Sequence, residues 1–142
     1  MAFLNYFFFY TYIGLVLLAG FWGAFVAPQL DFEYLFALDL HSLEEQARTN
    51  MLSQYRFLRA LELGYGLFAI VFLKEIFSVQ KFNLLFLVVM ACGIMARVFS
   101  WWQEGTPNGW TIFFLFYEAT GWLLIAVYST QKGIYHGNRS AI

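Results

Sequence analysis

The sequence predicts an all-α integral membrane protein, a four-transmembrane-helix antiparallel bundle. The composition is 61% hydrophobic and 23% aromatic with only 12% charged residues, whereas a soluble domain carries about 25% charged residues. Four apolar stretches also reach the length of about 20 residues that a membrane-spanning helix needs. The alternation of polar and apolar residues that marks membrane barrel strands is missing. Residues 1–142 are therefore predicted to form a single integral membrane domain.

The predicted spans cover about residues 6–27, 55–77, 82–102 and 110–130. Pro28 ends the first span, because proline lacks the N–H that would continue the helix. The connections after the second and third spans are short. The helices that they join are therefore predicted to be antiparallel neighbours.

The first connection, residues 28–50, is much longer and alternates acidic with aromatic and leucine residues. This pattern predicts a partly helical segment that lies at the membrane interface or folds over the bundle. Within it, Ser42 followed by Glu45 fits a capping box at a helix start. We expect the second helix to begin near Leu43, outside the membrane, and to run continuously inward.

The distribution of charge predicts the orientation. The side that holds both termini and the second connection is basic, and cytoplasmic segments of membrane proteins are enriched in Lys and Arg. Both termini are therefore predicted to be cytoplasmic. The basic residues are Lys74, Lys81, Lys132 and Arg139, against Glu75, and the residues on the opposite side are Asp31, Glu33, Asp39, Glu44, Glu45 and Glu104.

Ionisable residues occur inside the predicted spans. Arg59 and Glu62 share one face of the second helix because they are three residues apart. Arg97 and Glu118 lie near the outer ends of the third and fourth helices. Each charge at the centre of a membrane costs about 2.5–3.5 kcal/mol, so we expect the four side chains to face one another. Arg56 is shallower and is expected to reach the lipid headgroups.

Two interpretations of these four residues remain open. In the first, they form an internal clamp that fixes the register of the helices. In the second, they line a pocket, open to the outer side, for a polar headgroup or a small molecule. The more specific form of the second interpretation is an anionic ligand, because arginine is suited to recognising carboxylate and phosphate groups with two hydrogen bonds.

Small residues predict close packing between helices. On the first helix they recur at four-residue spacing, which lets two backbones approach closely. Homodimerisation through this helix is the alternative. The residues predicted to serve helix packing are Gly20, Gly23, Ala24, Gly64, Gly66, Gly93 and Gly121.

Catalytic and metal-binding signatures are missing from the sequence. His41 and His136 fall on opposite sides of the membrane in the predicted topology and cannot share a metal. Cys92 is the one cysteine, so no disulfide can form within the chain. We predict no enzyme activity, no metal and no cofactor; if the protein were an enzyme, Glu62 or Glu118 would have to be its general acid or base.

Three stretches carry a resemblance to a known family: "RFLRALELGYG", "ARVFSWWQEGTPNGW" and "YEATGWLL". Together they resemble the uncharacterised bacterial four-helix membrane family catalogued as domain of unknown function 4345. Its pattern corresponds here to Arg59 with Gly64, to Arg97 before an acidic-Gly-x-Pro turn, and to Glu118. A glutamate stands in that turn where the family often has aspartate. The resemblance implies the fold, the four ionisable residues and a bacterial inner membrane, and it implies no reaction.

The functional prediction is a small non-enzymatic multi-pass membrane protein that serves as an accessory subunit of a larger membrane complex. The short loops, the aromatic surface and the small mass outside the membrane motivate it. The alternative is binding or transport of a small amphiphile (a lipid, a quinone or an anion) through the Arg/Glu site. The predicted partners are the lipid bilayer and other membrane protein subunits. A net charge of −1 without a basic face predicts no nucleic-acid partner.

Overall fold

The computed structural model describes residues 2–135, and within them all regular structure is helical. The predictions made for His136 and Arg139 fall outside these residues. The all-α fold class is confirmed. The elements are α1 (Ala2–Phe21), a π-helical turn (Trp22–Val26), α2 (Pro28–Phe36), a 3₁₀ turn (Leu40–Ser42), α3 (Glu45–Val71), α4 (Leu73–Ile76), α5 (Gln80–Glu104) and α6 (Gly109–Gln131).

Three described segments are long and apolar enough to cross a membrane: Phe3–Val26, Gln80–Glu104 and Gly109–Gln131. They correspond to the first, third and fourth predicted spans. The predicted span 55–77 is not among them. Most of it lies in helix α3, and residues 55–71 of that helix include three charged side chains, which lower its hydropathy. The α-helix also breaks after Val71. Three apolar segments therefore meet the requirements for a membrane span, and a fourth span through the more polar α3 stays a prediction.

The described chain divides into two compact units. Of the described residues, 2–12 and 69–135 form the first unit, and 13–68 form the second. The first therefore contains the start of α1 together with α4, α5 and α6. The second contains the rest of α1, the π-helical turn, α2, the 3₁₀ turn and most of α3.

Helices α5 and α6 of the first unit are antiparallel, as predicted. Asn83 donates from Nδ2 to Ser129 Oγ over 2.8 Å. One turn along, Trp122 donates from Nε1 to the Leu87 carbonyl over 2.9 Å. Residue numbers thus rise on one helix as they fall on the other. Gly105, with φ of 101°, makes the turn between the helices.

An aromatic layer forms part of the core of the first unit. Phe9 is fully buried, and the centroid of its ring lies 5.2 Å from that of Phe77 and 5.4 Å from that of Phe86. Tyr6 contacts Phe77 with a centroid distance of 5.1 Å, and Tyr128 contacts Phe77 at 6.0 Å. Tilted and edge-on pairs of this kind stabilise beyond the area that they bury. The aromatic content of the sequence is thus partly used inside the protein.

The second unit is held by close approach between α1 and α3. A Cβ on Gly20 would lie 2.7 Å from the Leu63 backbone nitrogen and 2.9 Å from the Arg59 carbonyl oxygen. A Cβ on Gly66 would lie 2.7 Å from Leu17 Cδ2. Glycine is required at Gly20, because the blocking atoms belong to the backbone of α3, whereas a larger residue at position 66 would displace the Leu17 side chain.

The other small residues differ in their surroundings. Ala24 is buried, and a Cβ on Gly121, in the first unit, would meet Phe8 at an ordinary 3.8 Å. A Cβ on Gly64 or Gly93 would meet no atom within 4 Å. The packing predicted from the small residues is therefore tightest between α1 and α3.

The first connection contains α2 and the 3₁₀ turn. Pro28 occupies the first turn of α2, where its missing N–H costs nothing. The capping box predicted at Ser42 is wrong, because Ser42 Oγ donates to the Asp39 carbonyl over 2.6 Å. Asp39 Oδ1 accepts from the His41 backbone N–H and caps the 3₁₀ turn instead. α3 then starts at Glu45, two residues later than expected, and runs as one helix.

Gly20→Ala and Gly64→Ala form a matched pair that tests this packing. We expect Gly20→Ala to lower the free energy of unfolding by about 2 kcal/mol, since backbone atoms block the new methyl group. Gly64→Ala should raise it by about 0.5–1 kcal/mol, since glycine weakens a helix interior and the added Cβ meets open space. Denaturant unfolding in detergent micelles measures both. Equal effects of the two changes would contradict the close approach at Gly20.

Candidate functional site

Arg59 is the centre of an ionic network in the second unit. Its Nη1 lies 2.6 Å from Glu62 Oε2, and its Nη2 lies 3.6 Å from Asp31 Oδ2. Its Nε donates to Tyr55 Oη over 2.7 Å, and that hydroxyl donates onward to Asp31 Oδ2 over 2.7 Å. The Arg59 side chain is only 15% exposed. The network therefore closes on itself, with each polar group of the arginine directed at a protein partner.

Local structure explains how the network forms. Tyr55, Arg59 and Glu62 follow one face of α3 because they are spaced by four and three residues. The Arg59 guanidinium carbon lies 4.9 Å from the centroid of the Tyr55 ring, a cation–π distance. A Cβ on Gly23 would lie 2.6 Å from Arg59 Cγ, so glycine leaves the room that the arginine stem occupies.

α2 brings Asp31 into the network. The ring of Phe32, the next residue, is buried against Tyr55 with centroids 4.9 Å apart. Phe36, one turn later, meets the same tyrosine at 5.9 Å. This aromatic contact holds the first turn of α2 against α3. The carboxylate of Asp31 consequently reaches both the tyrosine and the arginine.

Arg56 has a different role from the one expected. In a continuing α-helix the carbonyl of Ala24 would accept a hydrogen bond from residue 28, but that residue is Pro28 and has no N–H. Arg56 donates from Nη1 to this carbonyl over 2.5 Å. The expectation that Arg56 extends to lipid headgroups is therefore corrected: it satisfies the end of the first helical segment.

The second ion pair lies in the first unit. Arg97 donates from Nε to Glu118 Oε2 over 3.2 Å. The two side chains are 36% and 17% exposed. Among residues 2–135, no protein group accepts from Arg97 Nη1 or Nη2. This guanidinium is thus half satisfied, with its two terminal nitrogens directed at no acceptor of the described chain.

An apolar groove of about 360 Å³ runs along the last turns of α5. Its lining residues lie on both sides of Arg97 in the sequence, so the groove and the arginine share one height along the helix. Of these residues, Ile94 is the neighbour of Arg97 on the helix surface, one turn before it. The groove is lined by Ile94, Met95, Val98, Phe99 and Trp102.

The four predicted site residues are found as two ion pairs, Arg59 with Glu62 in the second unit and Arg97 with Glu118 in the first. That all four form one cluster at one depth stays a prediction. Among the described residues, no group of three or more His, Cys, Asp or Glu side chains could hold a metal ion.

Asp31 was not predicted as a site residue, although the sequence holds a signal for it. Arg56 and Arg59 face only Glu62 within their own helix, so one positive charge lacks a counterion there. The acidic residues nearest in sequence are those of the first connection. Charge balance therefore indicates that a carboxylate of that segment pairs with an arginine of α3. Which carboxylate does so, Asp31 or Glu33, depends on how α2 packs.

The comparison with protein families decides where the chain belongs. A family model described as a domain of unknown function (DUF4345) matches residues 3–129. The chain belongs to this family. The match includes the first helix and the first connection, which carried no part of the resemblance seen in the sequence. Neither the curated proteins nor the solved structures contain a match to this chain.

Removing the Arg59 cation tests whether the network is structural. Arg59→Met keeps the apolar stem but leaves Asp31 and Glu62 without their cation, so we expect the free energy of unfolding to fall by about 3 kcal/mol. Arg48→Met, on the first turns of the same helix, is the matched control and should change it by less than about 0.5 kcal/mol. Unfolding is measured with both variants in the same lipid nanodiscs. Equal losses of unfolding free energy in the two variants would contradict a structural role specific to Arg59.

Proposed function

We propose that this chain is a non-enzymatic multi-pass protein of the bacterial inner membrane that binds an anionic amphiphile at Arg97. The observation that carries the proposal is the half-satisfied guanidinium at the same height of α5 as an apolar groove. A phosphate or carboxylate oxygen accepts from Nη1 and Nη2, while Nε stays bonded to Glu118. The planar guanidinium suits such two-point recognition.

The apolar part of the ligand lies along the groove of α5. The groove exposes aliphatic and aromatic side chains only, which suit an acyl chain. Trp102 lines its outer end, and tryptophan is enriched at the level of lipid headgroups. A headgroup at Arg97 with a chain running along the groove therefore matches the chemistry at each point. A neutral quinone fits less well, because it brings no anionic group to the arginine.

The Arg59 network supports this choice by contrast. Its guanidinium already has two carboxylates and a tyrosine as partners. A ligand would have to displace them. In the proposal, Arg59 therefore acts as the structural clamp, and the binding role belongs to Arg97.

The Arg59 network also supports the proposal that α3 forms a fourth membrane span. Arg59 is neutralised by Glu62 and Asp31, and Arg56 is bonded to a carbonyl. Pairing of this kind removes most of the cost of placing charges within a membrane. In our proposal α3 crosses the bilayer with these residues turned into the protein, and both termini are cytoplasmic.

Arg97→Ala and Glu118→Gln are expected to change lipid binding in opposite directions. Arg97→Ala should lower the preference for anionic over zwitterionic lipid about tenfold, the value of one charge-assisted hydrogen bond. Glu118→Gln should raise it, because the arginine loses its internal counterion. The measurement is quenching of tryptophan fluorescence by phosphatidylglycerol with brominated chains, since Trp102 lines the groove.

Two controls sharpen this test. Arg48→Ala removes an arginine from the N-terminal part of α3 and should leave the lipid preference unchanged. Arg97→Lys keeps the charge without the planar fork and should retain part of the preference. If Arg97→Ala and Glu118→Gln both reduce stability while neither changes lipid preference, the pair is only a clamp and the proposal fails.

An accessory subunit is the second candidate function, and one observation favours it. Cys92, Ala96 and Ser100 recur at four-residue spacing on α5, and all three are exposed. Together with exposed Gly93 they would let the helix of another subunit approach closely. The amphiphile-binding proposal does not depend on this face.

Crosslinking through Cys92 tests the accessory role. Treatment of native membranes with a short thiol-to-amine crosslinker should join Cys92 to a larger membrane protein, because the thiol is exposed on this face. Cys92→Ser is the control and should give no product. A chain that stays uncrosslinked in native membranes, while its thiol reacts with a soluble maleimide, would contradict the subunit role.

A further inference from the structure

Asn5, in the first turns of α1, is an unexplained polar group. Its side chain is 1% exposed. Within residues 2–135, neither its amide nitrogen nor its amide oxygen has a hydrogen-bond partner. Burial of such a group without a partner is destabilising, and native proteins retain few of them. The surroundings of Asn5 therefore need to supply both an acceptor and a donor.

Asn83, at the start of α5, shows a buried amide whose bonds are made. Its Nδ2 donates to the Ile76 carbonyl over 2.9 Å and to Ser129 Oγ over 2.8 Å, and its Oδ1 accepts from the Tyr135 hydroxyl. Spare capacity remains, however. A carbonyl oxygen has a second lone pair, and the Ser129 hydroxyl acts here only as an acceptor, so its hydrogen is free for another bond.

The contacts between α1 and α5 place Asn5 at the level of Asn83. Phe9 lies one turn after Asn5, and Phe86 lies one turn after Asn83. The rings of Phe9 and Phe86 contact each other at 5.4 Å between centroids. α1 and α5 both run antiparallel to α6 and are therefore parallel to each other. One turn back along both helices, the two asparagines therefore share a layer of the first unit.

The contacts with α6 give the same level for Ser129. Tyr6, which follows Asn5, meets Tyr128 at 6.0 Å between ring centroids. Ser129 follows Tyr128, and it is fully buried. Asn5 and Ser129 are thus the sequence neighbours of two tyrosines whose rings are in contact.

We propose that buried water binds between Asn5, Ser129 and Asn83. One molecule accepts from Asn5 Nδ2 and from Ser129 Oγ and donates to Asn83 Oδ1. It thereby makes three hydrogen bonds to the protein, the usual number for an internal water. A second molecule, bonded to the first, donates to Asn5 Oδ1. The site joins α1 to α5 and α6 by polar contacts inside an otherwise aromatic layer, and it does not depend on ligand binding at Arg97.

Nuclear magnetic resonance of the full chain in nanodiscs tests the water directly. The side-chain NH₂ signals of Asn5, assigned by their loss in Asn5→Leu, should show cross-relaxation with a long-lived water. Ser129→Ala, which removes one bond to that water, should weaken this signal. An Asn5 amide without any contact to slow water would overturn the proposal.

Thermal unfolding provides the second readout. If water links the two residues, Asn5→Leu and Ser129→Ala should each lower the midpoint by a few degrees, and the double variant should lose less than the sum of the two. Asn50→Leu makes the same chemical change at an exposed position of α3 and should leave the midpoint unchanged. A midpoint raised by Asn5→Leu would show that the site is dry, because leucine then merely removes an unpaired amide.

Discussion

The neutralisation of Arg59 is the constraint on which the second unit depends. A guanidinium that is 15% exposed needs nearby acceptors, and its own helix supplies only Glu62 and Tyr55. The remaining carboxylate, Asp31, comes from α2, which begins at the proline after the first helical segment. The close approach at Gly20 and the absence of a side chain at Gly23 make room for this arginine between α1 and α3. Helix packing and charge pairing thus require each other.

The two arginine sites differ in how completely the protein satisfies them. The nitrogens of Arg59 that take part in its network have three partners, whereas the described chain satisfies Arg97 through Nε alone. A closed network favours a structural role, because removal of one member leaves buried charge unpaired. A partly satisfied guanidinium favours ligand binding, because its remaining N–H donors are already held in position. This difference supports assigning the ligand to Arg97.

Much of the fold could be predicted from the sequence, because apolar length and charge balance act over short segments. Three of the predicted spans, the antiparallel pairing of α5 with α6 and the continuous α3 agree with the helices observed. The start of α3 was misjudged, since Ser42 bonds to the Asp39 carbonyl rather than capping the next helix. Choices between local hydrogen-bond partners depend on angles that the pattern of residue types does not contain.

The sequence by itself determined that the chain is helical, apolar and charge-balanced, because these properties follow from composition and spacing. It also determined which residues pair within one helix, such as Arg59 with Glu62. Only the tertiary structure decided that Asp31 joins them and that Arg56 satisfies the carbonyl of Ala24. Those contacts join segments far apart in the chain. Their geometry follows from how closely the helices approach each other, which residue spacing within one helix does not specify.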